Sequence, residues 1–563
     1  MRATIRPLLF ATLLGAAGSI APVGQAPAAN PAADAAKTLR SRLAEGRTGT
    51  DAALLSLEAL RLFYVERGHR PAWSADGRPS PQVGELVDAL RSAHHEGLRP
   101  ADYHLDAIEA LRRHFEGPSR AAGGTTADIV DLDLILSDAF FLYAGHLTSG
   151  RVNPESIEPE WNIPGRGRAL TLLLAASLER GHLADTISRL PPADEGYRRL
   201  RAALAAQRAV AAAGGWPLVP WGPALRAGDR GPRVAALRRR LAATGELAAG
   251  EAAGDLFDAP LDEALRRFQA RHGLQTDAVA GRRTTAALNA SSVHRARQIE
   301  ANLERLRWLP RDLGPRHLVV NVPDFRLTLT EDGAPALTMR VIAGRQSRRT
   351  PFFTGEITSI VVNPPWTVPE TIALEDKLPL ILDDRGFFAS EGFKVFRRAG
   401  KSWREIDPAD VDWARLPPER FPYRLRQEPG PRNALGRLKF QVPNRHDIYL
   451  HDTPSRGLFA RDGRAYSSGC IRVERAVDLA ARLLAPDPAW SREKIEAAIA
   501  TGETVTVPLR RPMPVYLLYA TAWVDPDGSL QFREDIYARD AALLEALALP
   551  PSAEGSGRKP RAE

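Results

Sequence analysis

Residues 447–454 read Asp-Ile-Tyr-Leu-His-Asp-Thr-Pro, and residues 466–473 read Tyr-Ser-Ser-Gly-Cys-Ile-Arg-Val. The alternating run before His451 predicts a strand that ends at this histidine. The residues between the two segments are largely polar and contain proline and glycine, which predicts a loop that turns the chain back. Cys470, the only cysteine among the 563 residues, would then lie near His451. We therefore expect the C-terminal part of the chain to fold around this pair.

Cys470 and His451 are the residue types of a thiol nucleophile and its base. Cysteine attacks as the thiolate, and a neighbouring base or cation lowers the pKa of the thiol. Gly469 lets the backbone approach a ligand closely, and apolar spacing over residues 476–483 predicts a helix soon after the cysteine. We expect the helix dipole to favour the thiolate, and the backbone N–H groups of Ser468, Gly469 and Cys470 to bind an oxyanion. The alternatives are a buried cysteine and a structural histidine, which are common in protein cores.

The spacing of these residues resembles a known motif. His451-Asp452-Thr453 is followed by Ser467-Ser468-Gly469-Cys470-Ile471-Arg472, with Cys470 nineteen positions after His451. This pattern resembles the catalytic motif of the L,D-transpeptidases of the bacterial cell wall, and its Ser-Ser-Gly-Cys form is similar to the large Gram-negative members. Many members have a histidine directly before Gly-Cys, where this chain has Ser468. The base must therefore be the upstream His451.

The resemblance implies a cysteine acyltransferase that forms 3→3 cross-links in peptidoglycan. The donor would be a tetrapeptide stem cut after its third residue, and the acceptor a diamino-acid side chain on another stem. A carbapenem should acylate the thiol of such an enzyme. Two other classes stay open, namely an L,D-carboxypeptidase or other exported thiol hydrolase, and a non-catalytic wall-binding protein. We expect no cofactor and no metal, because no Cys/His set has zinc-site spacing.

Three further residues are candidates for substrate binding. Tyr449 points to the same face as His451, because the two residues are two apart on a strand. Arg472 could pair with a carboxylate of the stem, or else form a surface ion pair of little energetic value. Trp366 lies in a proline-rich stretch, Asn363-Pro-Pro-Trp-Thr-Val-Pro369, that resembles the family region near the active site. Its alternative role is ordinary core packing.

Composition indicates an exported protein with an anionic partner. The net charge of +8 and the pI of about 9.7 favour an anionic partner such as the cell wall, but basic and acidic residues are mixed, which argues against nucleic acid. Residues 1–28 have the charged start, short apolar run and small-residue cleavage sites of a signal peptide, and an uncleaved anchor is the alternative. We expect a periplasmic protein, and a single cysteine excludes an internal disulfide.

The chain divides into segments of different periodicity. Helical spacing with Gly and Pro breaks predicts a helical first part of a multidomain α+β fold. Short strings in it, such as Phe63-Tyr64 and Pro100-Ala101-Asp102-Tyr103, resemble the helical scaffold domain of the same family, which implies a module that contacts periplasmic wall-synthesis proteins. The next part resembles a three-helix peptidoglycan-binding domain, and the last is a mostly β catalytic domain. The boundaries that we predict are a signal peptide at 1–28, the scaffold at 34–215, the three-helix domain at 225–290, the catalytic domain at 315–540, and a disordered tail at 549–563.

Residues 371–426 interrupt the β pattern of the catalytic domain. They carry several aromatic residues and the glycines Gly386 and Gly392, which predicts an inserted cap over the site that excludes water from the acyl-enzyme. The alternative is that the aromatic residues form a fixed structural core. After the nucleophile, we expect strands near 504–507, 514–521 and 531–532 to complete the sheet.

Overall fold

A computed structural model describes most of the chain between residues 31 and 551. The described ranges are 31–75, 78–116, 125–159, 161–163, 169–384, 386–416 and 420–551. The predicted signal peptide and most of the predicted tail lie outside them. The described residues form a helical N-terminal part, a small helical domain and a β-rich C-terminal domain, which confirms the multidomain α+β class. Within these ranges, no helix is both long and apolar enough to cross a membrane.

The N-terminal part is built around the long helix α5. Its residues are apolar on nearly every side, and the helix is accordingly buried along most of its length. A capping box formed by Thr125 and Asp128 satisfies the free N–H groups at its start. Helices surround α5, and a short hairpin of β1 (Ser74–Ala75) and β2 (Arg78–Pro79) joins two of them. The helices are α1 (Pro31–Glu45), α2 (Leu57–Glu66), α3 (Gln82–Arg91), α4 (Leu105–Glu116), α5 (Thr126–Ser149), α6 (Pro154–Ile157), α7 (Leu170–Arg180), α8 (Leu183–Ser188) and α9 (Glu195–Ala212).

The small helical domain has the predicted three helices. They are α10 (Pro232–Ala243), α11 (Ala259–Arg271) and α12 (Arg282–Leu288). Val234, Leu237, Leu265, Phe268 and Leu288 form the centre of its own core, in the helical spacing that the sequence shows. This domain also contacts the C-terminal domain directly, because Arg271 donates a hydrogen bond of 2.8 Å to the carbonyl of Leu530.

Helix α13 (Ser292–Trp308) connects the three parts of the chain. Its C-terminal end lies against α5 so closely that a Cβ on Gly150 would be 2.6 Å from the Trp308 ring. On another side, Gln298 donates a hydrogen bond of 3.0 Å to the carbonyl of Thr521 in the C-terminal domain. The helix is therefore shared between the cores rather than being a free linker.

The C-terminal domain is a sheet that closes on itself. Its strands pair in the order β13-β5-β14-β12-β11-β6-β15-β3-β4, and a further pairing of β4 with β5 completes a ring. Helices α17 (Ala476–Leu484), α18 (Arg492–Thr501) and α19 (Arg539–Ala548) pack on this sheet. The strands are β3 (Arg316–Asn321), β4 (Arg326–Glu331), β5 (Ala334–Gly344), β6 (Phe353–Val362), β7 (Trp366–Thr367), β8 (Phe393–Ala399), β9 (Ser402–Ile406), β10 (Tyr423–Gln427), β11 (Leu438–Gln441), β12 (Leu450–His451), β13 (Ala465–Ser467), β14 (Ile471–Val473), β15 (Val505–Leu518), β16 (Ala522–Val524) and β17 (Leu530–Phe532).

The three strand predictions near the C-terminus need correction. The predicted strands at 504–507 and 514–521 are one bulged strand, β15, which pairs with both β6 and β3. The predicted strand at 531–532 does not join the main sheet, because β17 pairs only with β16 in a separate hairpin. A turn over residues 525–529 closes that hairpin.

The insertion between β7 and β11 folds as a unit with its own sheet. Strands β7, β10, β8 and β9 form this sheet, and helices α14 (Glu370–Ile372), α15 (Leu378–Asp383) and α16 (Phe387–Glu391) pack beside it. Its aromatic residues are buried in a core separate from that of the main sheet, and Phe387 and Phe393 stack at 5.3 Å. The insertion is therefore a packed subdomain, as in the alternative that the sequence left open.

Candidate active site

Cys470 lies in a tight turn between β13 and β14, both of which pair with β5. The Ser467 hydroxyl closes this turn, since it donates to the Cys470 carbonyl at 2.5 Å and accepts from the Gly469 N–H at 3.1 Å. Gly469 has a φ of 120°, and a Cβ there would lie 3.1 Å from Ile448. Glycine is therefore required both by the backbone conformation and by the close approach of Ile448.

The expected helix dipole is absent at Cys470. The cysteine precedes strand β14, and helix α17 begins only at Ala476, after the strand has ended. The apolar periodicity that predicted this helix was correct, but three strand residues separate it from the thiol. Because dipole effects fade within the first turn of a helix, the helix dipole gives Cys470 no stabilisation.

His451 lies beside this turn on strand β12, which runs parallel to β14. Its Nδ1 is 2.5 Å from the carbonyl oxygen of Asp452. A carbonyl only accepts, so Nδ1 carries the proton and Nε2 is the nitrogen able to take another. Burial, with a contribution from the Arg472 charge, lowers the pKa of His451 to about 3. The imidazole is therefore neutral at physiological pH.

The thiol of Cys470 bonds to the backbone rather than to His451. Its Sγ lies 3.7 Å from the carbonyl of Asp447. Burial raises the pKa of Cys470, while Tyr449 and the nearby cations Lys439 and Arg472 act in the opposite direction. Among the described residues, no hydrogen bond joins Sγ to His451. The structure thus places the predicted pair side by side without joining them.

Lys439 is a site residue that the sequence analysis missed. Its Nζ lies 4.0 Å from the centroid of the Tyr449 ring, and that ring is 5.7 Å from the His451 ring. The cross-strand register of β11 and β12 places Lys439 opposite His451. The sequence does show a lysine between Leu438 and Phe440 in an apolar strand, which is unusual. That this lysine faces the site follows only from the pairing of β11 with β12.

Trp366 and Arg472 line the same region. Trp366 is 8% exposed in the core of the insertion, and Tyr449 packs against that core, so Trp366 serves both packing and the site. The Nε of Arg472 is buried without a hydrogen-bond partner among the described residues, and none of them forms an ion pair with this guanidinium. The surface ion pair considered for Arg472 is thus not formed. The positive charge of Arg472 instead acts on the thiol and on His451, and it lowers the pKa of both groups.

The predicted oxyanion donors are not equivalent. The N–H of Gly469 already donates to the Ser467 hydroxyl, so it is not available to an oxyanion in this conformation. The amides of Ser468 and Cys470 stay as the predicted donors. On the outer side of the turn, Arg348 donates to the Ser468 hydroxyl at 2.9 Å and pairs with Asp376 of the insertion at 2.7 Å. In the part of the chain described, no group of three or more potential metal ligands occurs.

Sequence comparisons identify the domains that carry this geometry. Residues 315–507 match the model of the L,D-transpeptidase catalytic domain, residues 58–204 match a scaffold domain, and residues 230–288 match a peptidoglycan-binding domain. A Haemophilus influenzae protein assigned by name to the L,D-transpeptidases is 39% identical over 246 residues. This match covers 44% of the chain and 48% of the relative, so the chain spans about half the length of that relative.

Solved structures add only distant likenesses. An L,D-transpeptidase from Stackebrandtia nassauensis is 14% identical, with a TM-score of 0.20. The alignment covers 54% of this chain and 96% of the Stackebrandtia chain. An L,D-transpeptidase from Mycobacterium smegmatis is 12% identical with a TM-score of 0.18, and covers 36% of this chain and 58% of its own. Neither value is high enough to support an argument about the site. Residues 315–507 thus match the L,D-transpeptidase catalytic domain, and a scaffold domain and a peptidoglycan-binding domain precede them in the chain.

Proposed function

We propose that the protein is a periplasmic L,D-transpeptidase that forms 3→3 peptidoglycan cross-links through an acyl-enzyme on Cys470. The proposal rests on the surroundings of Cys470. Its thiol lies at a turn of the domain that matches the L,D-transpeptidase model, beside the neutral imidazole of His451 and the cations Lys439 and Arg472. The peptidoglycan-binding domain supports the wall as the substrate. The helical scaffold is proposed to contact other wall-synthesis proteins in the periplasm.

In the proposed first step, Cys470 Sγ bonds to the carbonyl carbon of the third stem residue. The resting pair is neutral, because burial raises the pKa of the thiol and lowers that of the imidazole. The thiol proton therefore moves to Nε2 of His451 as the S–C bond forms, after Sγ leaves the Asp447 carbonyl. The oxyanion is stabilised by backbone N–H groups of the turn, with Ser468 and Cys470 as the donors.

The acyl-enzyme then forms when the C–N bond to the fourth residue breaks and His451 returns its proton to the departing amine. An acceptor amine attacks the thioester carbon, loses a proton to His451, and releases the thiolate, which is protonated again. Water in place of the amine would give a carboxypeptidase. The two reactions use the same groups and differ only in the nucleophile that reaches the thioester.

The charges around the thiol suit an anionic stem peptide. Lys439, Arg472 and Lys377 lie on different elements around Tyr449 and Trp366, and burial lowers the pKa of each. Neither Lys439 nor Arg472 has an ion-pair partner among the described residues, so a carboxylate of the stem would supply the missing charge. A cation next to the thiol also stabilises the thiolate as it develops.

The test is a product analysis with purified disaccharide-tetrapeptide. The wild-type enzyme should give a dimer whose mass equals two substrates minus one molecule of the released free terminal amino acid, and Cys470→Ala should give none while it stays folded. Ser455→Ala is the control, because it removes an exposed hydroxyl on the loop after His451 that makes no cap hydrogen bond, and it should keep the activity. With a carbapenem, one adduct should form on the wild type and on Ser455→Ala. Tripeptide without dimer would instead identify a carboxypeptidase, and an unreactive, folded wild type would favour a wall-binding protein.

A further inference from the structure

A cavity lies where the three parts of the chain meet, and none of the site residues line it. Its volume is about 450 Å³. Gln207 of α9, residues of α10 and α11, Arg295 of α13 and residues of the β16–β17 hairpin form its walls. Trp216, Phe268 and Phe532 contribute aromatic rings. The cavity therefore has contributions from every domain of the protein.

Two arginines of this cavity are buried without a negative partner. Arg240 is 2% exposed and donates to the Leu288 carbonyl at 2.7 Å and to the Thr244 hydroxyl at 3.0 Å. Arg295 is 7% exposed and donates to the side-chain oxygen of Gln298 at 2.8 Å. All these acceptors are neutral, and neither arginine forms an ion pair with any of the described residues. Each guanidinium carries more N–H groups than these bonds use.

The remaining charges that face the cavity do not compensate the two cations. Arg267 and Arg271 add two more, and the single carboxylate in the described lining, Glu246, is paired with Arg271. Burial lowers the pKa of Arg295 to about 9, and repulsion from Arg240 and Arg271 acts in the same direction. His272 adds no charge, because burial holds its pKa well below the usual range.

We propose that this cavity binds a carboxylate or phosphate group of a small ligand through Arg240 and Arg295. A buried cation without a counter-charge is costly, so an anion between the two guanidiniums would stabilise the folded protein. The Oε1 of Gln207 is buried without a hydrogen-bond partner among the described residues, and it could accept from a donor group of the ligand. The rival explanation is that stacking on Trp216 at 4.4 Å and on Phe532 at 4.5 Å holds the arginines for structural reasons alone.

The proposal does not depend on the reaction at Cys470 and is tested by titration calorimetry with the full chain. The probes are inorganic phosphate, acetate and disaccharide-tetrapeptide, at constant ionic strength set with chloride, and Cys470→Ala prevents turnover of the last one. We expect saturable binding of at least one probe in this cavity, and muropeptide binding is assigned to the cavity only where an arginine variant weakens it, because the stem also binds beside Cys470. Arg240→Gln and Arg295→Gln should each weaken it at least tenfold, whereas Arg230→Gln, which removes a charge from the same domain outside the cavity, should not.

Thermal unfolding separates the proposal from the rival explanation if the variants are hard to purify. Without an added anion, Arg295→Gln should unfold at a temperature equal to or higher than the wild type, since it removes an uncompensated charge. The probe that binds should raise the unfolding temperature of the wild type and not that of the variant. Binding by phosphate or acetate alone would identify a free anion as the ligand, and binding by the muropeptide alone a wall fragment. No binding by any probe, or equal binding by the arginine variants, would overturn the proposal.

Discussion

The guanidinium of Arg348 donates a hydrogen bond of 2.9 Å to the hydroxyl of Ser468, two residues before Cys470. The same guanidinium pairs with Asp376 and Glu375 of the insertion. The position of the nucleophile turn is thereby linked to the base of the inserted subdomain. This link has a consequence for catalysis, because small displacements of a reacting group lower rates strongly.

Arg348→Gln should lower the transfer rate about 10- to 100-fold, because the turn loses its outer support. The unfolding temperature should fall little, because partly exposed ion pairs contribute only about 0–1 kcal/mol. Steady-state kinetics and thermal unfolding measure the two effects. Arg349→Gln is the matched control, since Arg349 donates only within its own loop, to Gln346. Unchanged kinetics in Arg348→Gln would show that the turn is held without this contact.

The reactivity of Cys470 should increase only at alkaline pH in the free enzyme. Burial raises the pKa of the thiol, so alkylation by iodoacetamide should be slow near neutral pH and should increase beyond the usual titration range of about 8.5. Lys439→Met should raise this pKa further, because it removes a cation that favours the thiolate. Lys494→Met, at an exposed position of α18, should leave the profile unchanged. Fast alkylation at neutral pH would show that the thiolate is stabilised in the resting enzyme.

His451→Ala should lower the transfer rate about 100- to 10,000-fold, the usual contribution of a positioned general base. Because burial holds the pKa of His451 near 3, the wild-type rate should not fall between pH 7 and pH 5 through this group. His446→Ala, outside the site on the preceding loop, is the control. The measurement is the single-turnover rate of acylation across this pH range. A loss of less than tenfold in His451→Ala would assign the base elsewhere.

Replacing residues 371–426 with a short linker should leave the main sheet folded, because the core of the insertion is separate from that of the sheet. Cys470 should still react with a small electrophile. The ratio of hydrolysis to transfer should rise, because water reaches the acyl-enzyme. Circular dichroism and product masses report the two properties. An unfolded deletion variant would make the insertion an obligatory part of the core, and a folded one with an unchanged ratio would refute the role of a cap.

Asp133 of the helical scaffold should make its stability pH-dependent. The carboxylate accepts hydrogen bonds from Tyr64, Ala72 and Trp73, yet burial raises its pKa to about 6. Because the pKa of Asp133 is higher in the folded state than in the unfolded state, the protonated carboxyl favours the folded state. This stabilisation is complete below about pH 4 and is lost as pH rises through 6. Relative to Asp133→Asn, the wild type should therefore lose stability over this range, by up to about 3 kcal/mol. Chemical denaturation at several pH values measures the difference, and parallel curves would contradict it.

The sequence predicted those features of the site that depend on one segment at a time. The turn at Gly469 and the helix of residues 476–484 follow from glycine and from local periodicity, whereas the strand predicted before His451 is shortened to Leu450–His451. Lys439 depends on the pairing of β11 with β12, and Arg348 on a contact across 120 residues, and neither is encoded in spacing along the chain. The sequence also did not predict that the Cys470 thiol is protonated in the free enzyme, because its raised pKa results from burial in the folded domain.

Helix α13 has a consequence for how the protein uses its substrate. A wall-binding domain on a flexible tether would raise the effective concentration of any stem within reach of the linker. Here α13 packs into the neighbouring cores, and Arg271 bonds directly to the β16–β17 hairpin. With a rigid connection of this kind, the thiol would reach only those stems that lie at one distance and direction from the glycan strand held by the wall-binding domain. The enzyme would therefore select cross-linking positions by the geometry of the wall as well as by the chemistry of the stem.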